Sequence, residues 1–206
     1  MKNIELMLEY GNSVNKYNIP DIPKQSFLKL PENLNPISYR EKLKYPSLVH
    51  FFIDDEKFEC SWNTPKKTLE ALKNEKIWAV CSPDYSMYAD MPEAVQIYQI
   101  YRNRLISAYW AKNGIRVIPS IMFSNLKSLD YSFVGIQKNQ IVAMPVPARA
   151  TDQEFDNFVN GYLKMIRVLE PRIIICFGHE LDLMKRDNIK KIYFPKGHFK
   201  QKEFNR

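Results

Sequence analysis

The segment from Gln140 to Gly178, QIVAMPVPARATDQEFDNFVNGYLKMIRVLEPRIIICFG, decides the fold. It opens on a strand, Gln140–Val146, that is apolar from Ile141 onward. Thr151 and Glu154 then stand in the TxxE spacing of a capping box. Behind them Phe155, Phe158, Val159, Tyr162, Leu163, Ile166 and Leu169 fall on one stripe at helical spacing. Pro171 forbids continuation, and a second apolar run, Arg172–Phe177, follows. A continuous apolar strand, an amphipathic helix and another apolar strand are the signature of parallel strands covered by helices.

The pattern extends in both directions. Leu48–Ile53, Lys76–Ser82 and Ile115–Ile121 read as further buried strands, and KKIYF (Lys190–Phe194) as a sixth. Thr64-Pro65 starts a helix that runs to about Lys73. Asp90, Pro92 and Glu93 open a longer one that Gly114 closes. On that helix Ala94, Ile97, Tyr98, Tyr101, Leu105, Ala108 and Tyr109 form an apolar face, with Gln96, Gln99, Asn103 and Ser107 opposite. Arg102 and Arg104 flank the apolar face and are expected to snorkel to water. Short helices are expected near Leu126–Tyr131 and Glu180–Lys185. The expected fold is α/β: a single domain with a mostly parallel, open or partial barrel-like sheet of five to six strands and flanking helices. Residues 47–186 form its core. Residues 1–46, with Pro20, Pro23, Pro31, Pro36 and Pro46, read as extended chain packed on the body, and 187–206 as a basic C-terminal segment.

Composition is that of a soluble globular protein: 206 residues, 45% hydrophobic and 26% charged. No apolar stretch is long enough for a membrane span, and the N-terminus lacks the apolar core of a secretory signal. Cys60, Cys81 and Cys176 form no paired motif and read as reduced thiols in a cytoplasmic protein. Of the formal charge of +7, +6 belongs to Lys185–Arg206, with eight basic residues against Asp187 and Glu203. No phosphate-binding glycine loop, dinucleotide fingerprint, zincin or nucleophile-elbow motif is present.

Ligands of parallel α/β folds bind beyond the carboxyl ends of the strands. Those ends carry Asp54 and Asp55; Ser82, Asp84 and Tyr85; Ser120; Arg149; and Gly178, His179 and Glu180. Asp54, Asp55 and Asp84 are the candidate catalytic carboxylates and the candidate ligands of a divalent metal, Mg²⁺ or Mn²⁺. His179 is a candidate proton-transfer group. Arg149 and the amides after Gly178 are candidate anion binders. The same residues have bland readings: the aspartates as turn or cap residues, His179 as a surface residue, and Tyr85, Tyr88 and Trp110 as core or rim rather than base-stacking groups.

VHFFIDDEKFECSWN, CSPDYSMYADMP and IYRNRLISAYWAKNGIRVIPS carry a likeness to a known family. From about Tyr17 to Phe177 the chain resembles a family of bacterial, phage and plasmid proteins known only as a domain of unknown function. The resemblance implies a bacterial or mobile-element setting and no enzyme class. It places Asp54, Asp55, Asp84, Tyr85, Arg102, Arg104 and Ser120 in the motif stretches, where Tyr85, Arg102, Arg104 and Ser120 join Arg149 and Gly178 as candidate substrate contacts. A tryptophan often follows the third strand in that family; here Met122 and Phe123 stand there. Three functions remain open: an accessory protein that hydrolyses a phosphate-containing substrate with a metal, a non-catalytic DNA- or RNA-binding protein using Lys185–Arg206, and a protein that binds a host factor.

Overall fold

A computed structural model describes residues 3–11, 13–26, 30–147 and 151–194. Among these residues seven strands run parallel and in sequence order: β1 (Asn33–Pro36), β2 (Ser47–His50), β3 (Ile77–Cys81), β4 (Val117–Ile118), β5 (Ile141–Pro145), β6 (Ile173–Phe177) and β7 (Lys190–Phe194). They form a four-stranded and a three-stranded ladder. A parallel bridge between Ser120 and Ala143 joins the two, with the Ala143 amide donating to Pro119 at 2.9 Å and the Ile121 amide to Ala143 at 2.8 Å.

The array is strongly curved. Leu34, Leu48, Cys81, Ile118, Ala143 and Ile175, from six successive strands, meet in one apolar cluster on its concave side. His50 at the end of β2 and Phe177 at the end of β6 have ring centroids only 4.6 Å apart. Four strand spacings of a flat sheet would separate them by roughly 19 Å. Of the open and the partial barrel-like forms left open by the sequence, the curved one is observed, with seven strands among the described residues instead of five or six. The added strand is β1, whose NLNP looks like a turn by composition.

Alternate residues point outward and meet the helices. Val49, Val80 and Val117 pack with α3 (Pro65–Leu72) and α4 (Glu93–Lys112). Val142, Met144, Ile174 and Cys176 pack with α5 (Asp152–Leu169). The α5 capping box forms as the TxxE spacing requires: the Glu154 amide donates to Thr151 Oγ1, and the Thr151 amide to Glu154 Oε2 at 2.7 Å. Residues 127–130 and 182–186 form 3-10 turns where short helices were expected.

Residues before β1 are not wholly extended. Helix α1 (Ile4–Tyr10) precedes the proline-rich stretch, and a four-residue helix, α2 (Cys60–Asn63), precedes α3. The proline-rich chain does pack down: Ile19 and Ile22 are fully buried, and the Gln25 side chain bridges the Ile115 carbonyl and Val117 amide at 3.1 and 2.8 Å.

Helix α4 departs most from expectation. Its polar residues do not face water: Gln96, Asn103 and Ser107 are buried, while Tyr98 from the supposed apolar face is 44% exposed. Arg102 and Arg104 do not snorkel; they are 8% and 0% exposed. Nor does Asp90 cap the helix, whose N-cap position falls on Pro92.

Candidate functional site

The apolar run of β2 leaves its ladder after His50, three residues before the aspartates. The Ile53 amide turns back to the Phe51 carbonyl at 2.8 Å, and Asp54 begins a 3-10 turn, Asp55–Lys57. The two carboxylates then diverge. Asp54 is exposed and pairs with Lys57 at 2.6 Å. Asp55 points inward and accepts from the Ser86 amide, at 3.1 and 3.0 Å, and from Ser86 Oγ at 3.0 Å. It therefore ties the chain after β2 to the chain after β3.

A cavity of about 640 Å³ opens beyond the carboxyl ends of β2, β3, β4 and β5. Asp54, Asp84, Tyr85 and Ser86 line it, joined by Glu154 and Asn157 from α5. Rings and thioethers make up much of the remaining wall, including Phe52, Phe123, Phe158, Met122 and Met144. No Lys, Arg or His is among these lining residues. Asp84 has no hydrogen-bond partner among the described residues. Burial, reinforced by the nearby Asp55 charge, pushes its carboxyl up to about 8, so it holds its proton at neutral pH. Glu154 is held below the usual carboxylate range by the Thr151 amide and hydroxyl.

A buried polar seam on α4 fixes the loops around this cavity. Ser107 Oγ donates to Ser82 Oγ at 2.8 Å, Asn103 Nδ2 to the Pro83 carbonyl, and Gln99 Nε2 to the Ser86 carbonyl at 3.3 Å. Gln96 Oε1 accepts from Ser124 Oγ at 2.8 Å and from the Tyr131 hydroxyl at 3.0 Å. These side chains satisfy loop groups that would otherwise be buried without partners. Asn125 Nδ2 closes the rim by donating to the Ala89 carbonyl at 2.9 Å.

The candidate residues thus divide. Asp54, Asp84 and Tyr85 share the cavity, with Asp55 directly behind it. Among the described residues no three His, Cys, Asp or Glu side chains group closely enough to hold a metal ion. The expected trio of Asp54, Asp55 and Asp84 is split by the inward turn of Asp55 and the Lys57 pairing of Asp54. Arg104 is consumed by the fold, donating to the Val134 and Ser132 carbonyls at 2.9 and 2.7 Å and to Asn103 Oδ1. Arg102 grips Glu59. Ser120 Oγ donates to the Ser82 carbonyl at 2.7 Å and is fully buried. The Gly178 amide donates to the Phe194 carbonyl at 3.0 Å, so it continues the β6–β7 ladder instead of facing an anion. His179 is exposed and does not line the cavity. Arg149 lies outside the described residues.

Within the basic C-terminal segment, Lys185 pairs with Asp182 at 2.8 Å. Lys191 is buried against Asp187 at 2.6 Å. Arg186 is exposed. Lys196, Lys200, Lys202 and Arg206 lie outside the described residues.

His50 is the polar residue that strand reading undervalued. It is fully buried on the concave side, and its Nδ1 accepts from the Phe52 amide at 3.1 Å. Burial pushes it down to about 3, so it is neutral, and its Nε2 has no partner. Its signal in the sequence was a lone histidine inside an apolar run.

Among the described residues no helix is long and apolar enough to cross a membrane. Residues 11–195 match the model of the domain of unknown function DUF4417. The Gene 1 protein of Mycobacterium phage L5 is 32% identical over 183 residues, covering 85% of this chain and 76% of that protein. The Gene 1 protein of Mycobacterium phage D29 is 30% identical over 173 residues, covering 81% of this chain and 62% of that protein, less than two thirds of its length. No solved structure matches the chain. The chain belongs to the DUF4417 family, and phage proteins are among its relatives.

Proposed function

We propose that the protein is an enzyme that acts on a phosphate-containing substrate, a nucleotide or nucleic acid, at the strand-end cavity, with Asp84 as the proton-transfer group. One observation carries this reading. Asp84 is a carboxyl with no hydrogen-bond partner among the described residues, set in a cavity wall and held at about 8. A group poised near the working pH both donates and accepts protons efficiently. The curved parallel array supports the location, because the cavity lies where such folds place their chemistry.

The reaction favoured is hydrolysis. The lining described here is acidic, so a phosphate enters either with a divalent cation carried on its own oxygens and met by the exposed Asp54, or with its charge kept at the mouth, and Asp84 keeps its proton in both cases. The strands are parallel, so β7 ends at Phe194 on the same end of the array as the cavity. The sequence after it carries Lys196, Lys200, Lys202 and Arg206, which suit backbone phosphates.

The test is turnover of nucleotides and oligonucleotides with Mg²⁺, Mn²⁺ or chelator, in the native chain and in Asp84→Asn. Loss of turnover in the variant with its fold retained supports the assignment. Undiminished turnover in Asp84→Asn refutes it. Equal turnover with chelator removes the cation while leaving Asp84 in place.

A further inference from the structure

The strand-end cavity is lined by several aromatic rings that are already held in place. Four of the rings lining it are each backed by a second group. Phe52 stacks on Phe177 at 5.5 Å and 24°, and Phe158 on Tyr162 at 6.2 Å and 18°. Tyr85, only 1% exposed, is covered by Phe58 at 5.4 Å and the Arg102 guanidinium at 3.9 Å, so it braces the wall while Phe52 and Phe123 present ring surface to the cavity. Phe123 lies against Gly161, where a Cβ would come within 2.4 Å of the ring. Rings held this way need little further ordering when a ligand arrives. Tyr88 also lines the cavity and is 60% exposed. The volume of about 640 Å³ accommodates a nucleoside.

Against these apolar walls stands one polar group with both its oxygens unengaged by described residues. Asp84 in its protonated form offers an O–H donor beside a carbonyl acceptor. Cytosine and adenine carry the matching edge, a ring nitrogen that accepts next to an amino group that donates. The surrounding charge selects among bases. Asp54 and Glu154 line the same cavity, Asp55 lies behind it, and no described lining residue is basic. Such a field favours amino groups and basic ring nitrogens over the carbonyl-rich edges of uracil and thymine.

We propose that the cavity binds an amino-bearing nucleobase, cytosine or adenine, with its faces against the wall rings and its amino edge on Asp84. The proposal rests on the reading that this cavity is the working site, and it gives the Asp84 carboxyl to the base edge in place of the proton-transfer step. The base comes either from a free nucleoside or nucleotide or from a strand that extrudes it into the pocket.

The test is calorimetric titration of the full chain with cytidine, adenosine and uridine, and with single-stranded oligo-dC, oligo-dA and oligo-dT. Each is run at about pH 6.5 and about pH 9.5, on either side of the value of about 8 for Asp84. The groups that face Asp84 are Asp55, on the turn after β2, and Cys81, on β3. Cytidine or adenosine is expected to bind about tenfold tighter than uridine, a difference set by the acidic surround, since the N3–H and O4 of uracil also form two hydrogen bonds with a protonated carboxyl. Binding should weaken severalfold at the higher pH, where the O–H donor is lost. Asp84→Asn, whose amide also sets a donor beside an acceptor, should keep the binding and lose its pH dependence. Asp84→Leu should lose the binding.

Binding of oligo-dC or oligo-dA but not of nucleosides identifies an extruded base as the source. Uridine as tight as cytidine, unweakened binding in Asp84→Leu, or no binding by any of these probes overturns the proposal. Base binding without turnover sinks the enzymatic reading alone. Turnover without base binding sinks this one alone.

Discussion

The guanidinium of Arg102 stands 3.9 Å from the centre of the Tyr85 ring, while its Nη2 reaches both oxygens of Glu59 at 2.5 and 2.6 Å. Trp62 and Tyr98 complete an aromatic surround at 5.1 and 5.8 Å. One side chain of α4 thus anchors the segment after β2 and the cavity residue after β3. Arg102→Lys keeps the charge and loses the planar guanidinium that holds Glu59 through Nη2 and Gln99 through Nη1 while covering the ring. It should lower unfolding stability by about 2 kcal/mol, less than a fully buried pair because Glu59 is partly exposed. Glu59→Gln, whose site water can reach, should cost roughly 1 kcal/mol. Urea unfolding decides: a loss in Arg102→Lys no larger than that of an ordinary surface substitution means the pair contributes nothing.

The raised value of Asp84 is also a statement about stability. An unfolded aspartate titrates near about 4, whereas Asp84 in the fold is held at about 8. Its contribution to stability is whole below the lower value and drains as the pH rises through the upper one, because the folded state keeps a proton the unfolded state has released. Asp84→Asn carries no such burden. The variant and the native chain should be similarly stable near pH 4, and the variant should be favoured by on the order of 2 kcal/mol above pH 8, after allowance for partial exposure. A constant difference across that range would mean that Asp84 is not perturbed.

Gly161 makes room for a cavity wall. An added Cβ would meet the Phe123 ring at 2.4 Å. Gly161→Ala therefore either strains the α5 contact, at about 1–3 kcal/mol, or drives Phe123 into the cavity. The double variant with Phe123→Ala should recover most of the loss attributable to Gly161→Ala, since the two sites are in contact. Additive thermal-denaturation losses in the cycle would show that the ring is not what the glycine accommodates.

Much of this architecture is written in local patterns. The β5–α5–β6 unit follows from its apolar runs, its TxxE start and Pro171, and the apolar runs end next to Asp54, Asp84 and Tyr85. Helix α4 is misread because Gln96, Asn103 and Ser107 at helical spacing look like a wet face. Periodicity reports polarity, not whether a polar group has a buried partner, and here the partners are loop atoms distant in sequence. Strand β1 hides because asparagine and proline normally mark turns. The cavity walls are illegible for another reason: Phe52, Phe123 and Phe158 resemble core residues, and only the curvature of the sheet leaves one end open above them.

The α4 seam yields the sharpest ordering of effects. Ser107→Ala removes one neutral hydrogen bond and leaves Ser82 Oγ with one partner fewer, a loss of about 1 kcal/mol. Asn103→Leu is different in kind. It abandons the Pro83 carbonyl and the Nη1 of a fully buried arginine, Arg104, at once. Stranding a buried acceptor and weakening the satisfaction of a buried charge should cost more than about 2 kcal/mol. Because Pro83 precedes Asp84, loosening this contact also admits water to the carboxyl. Its titration, followed by carboxyl-carbon NMR, should move down from about 8 in Asn103→Leu and stay near its native position in Ser107→Ala. If both variants left the titration unmoved, Asp84 would owe its proton to the cavity walls and the Asp55 charge, and the seam would be only a structural brace.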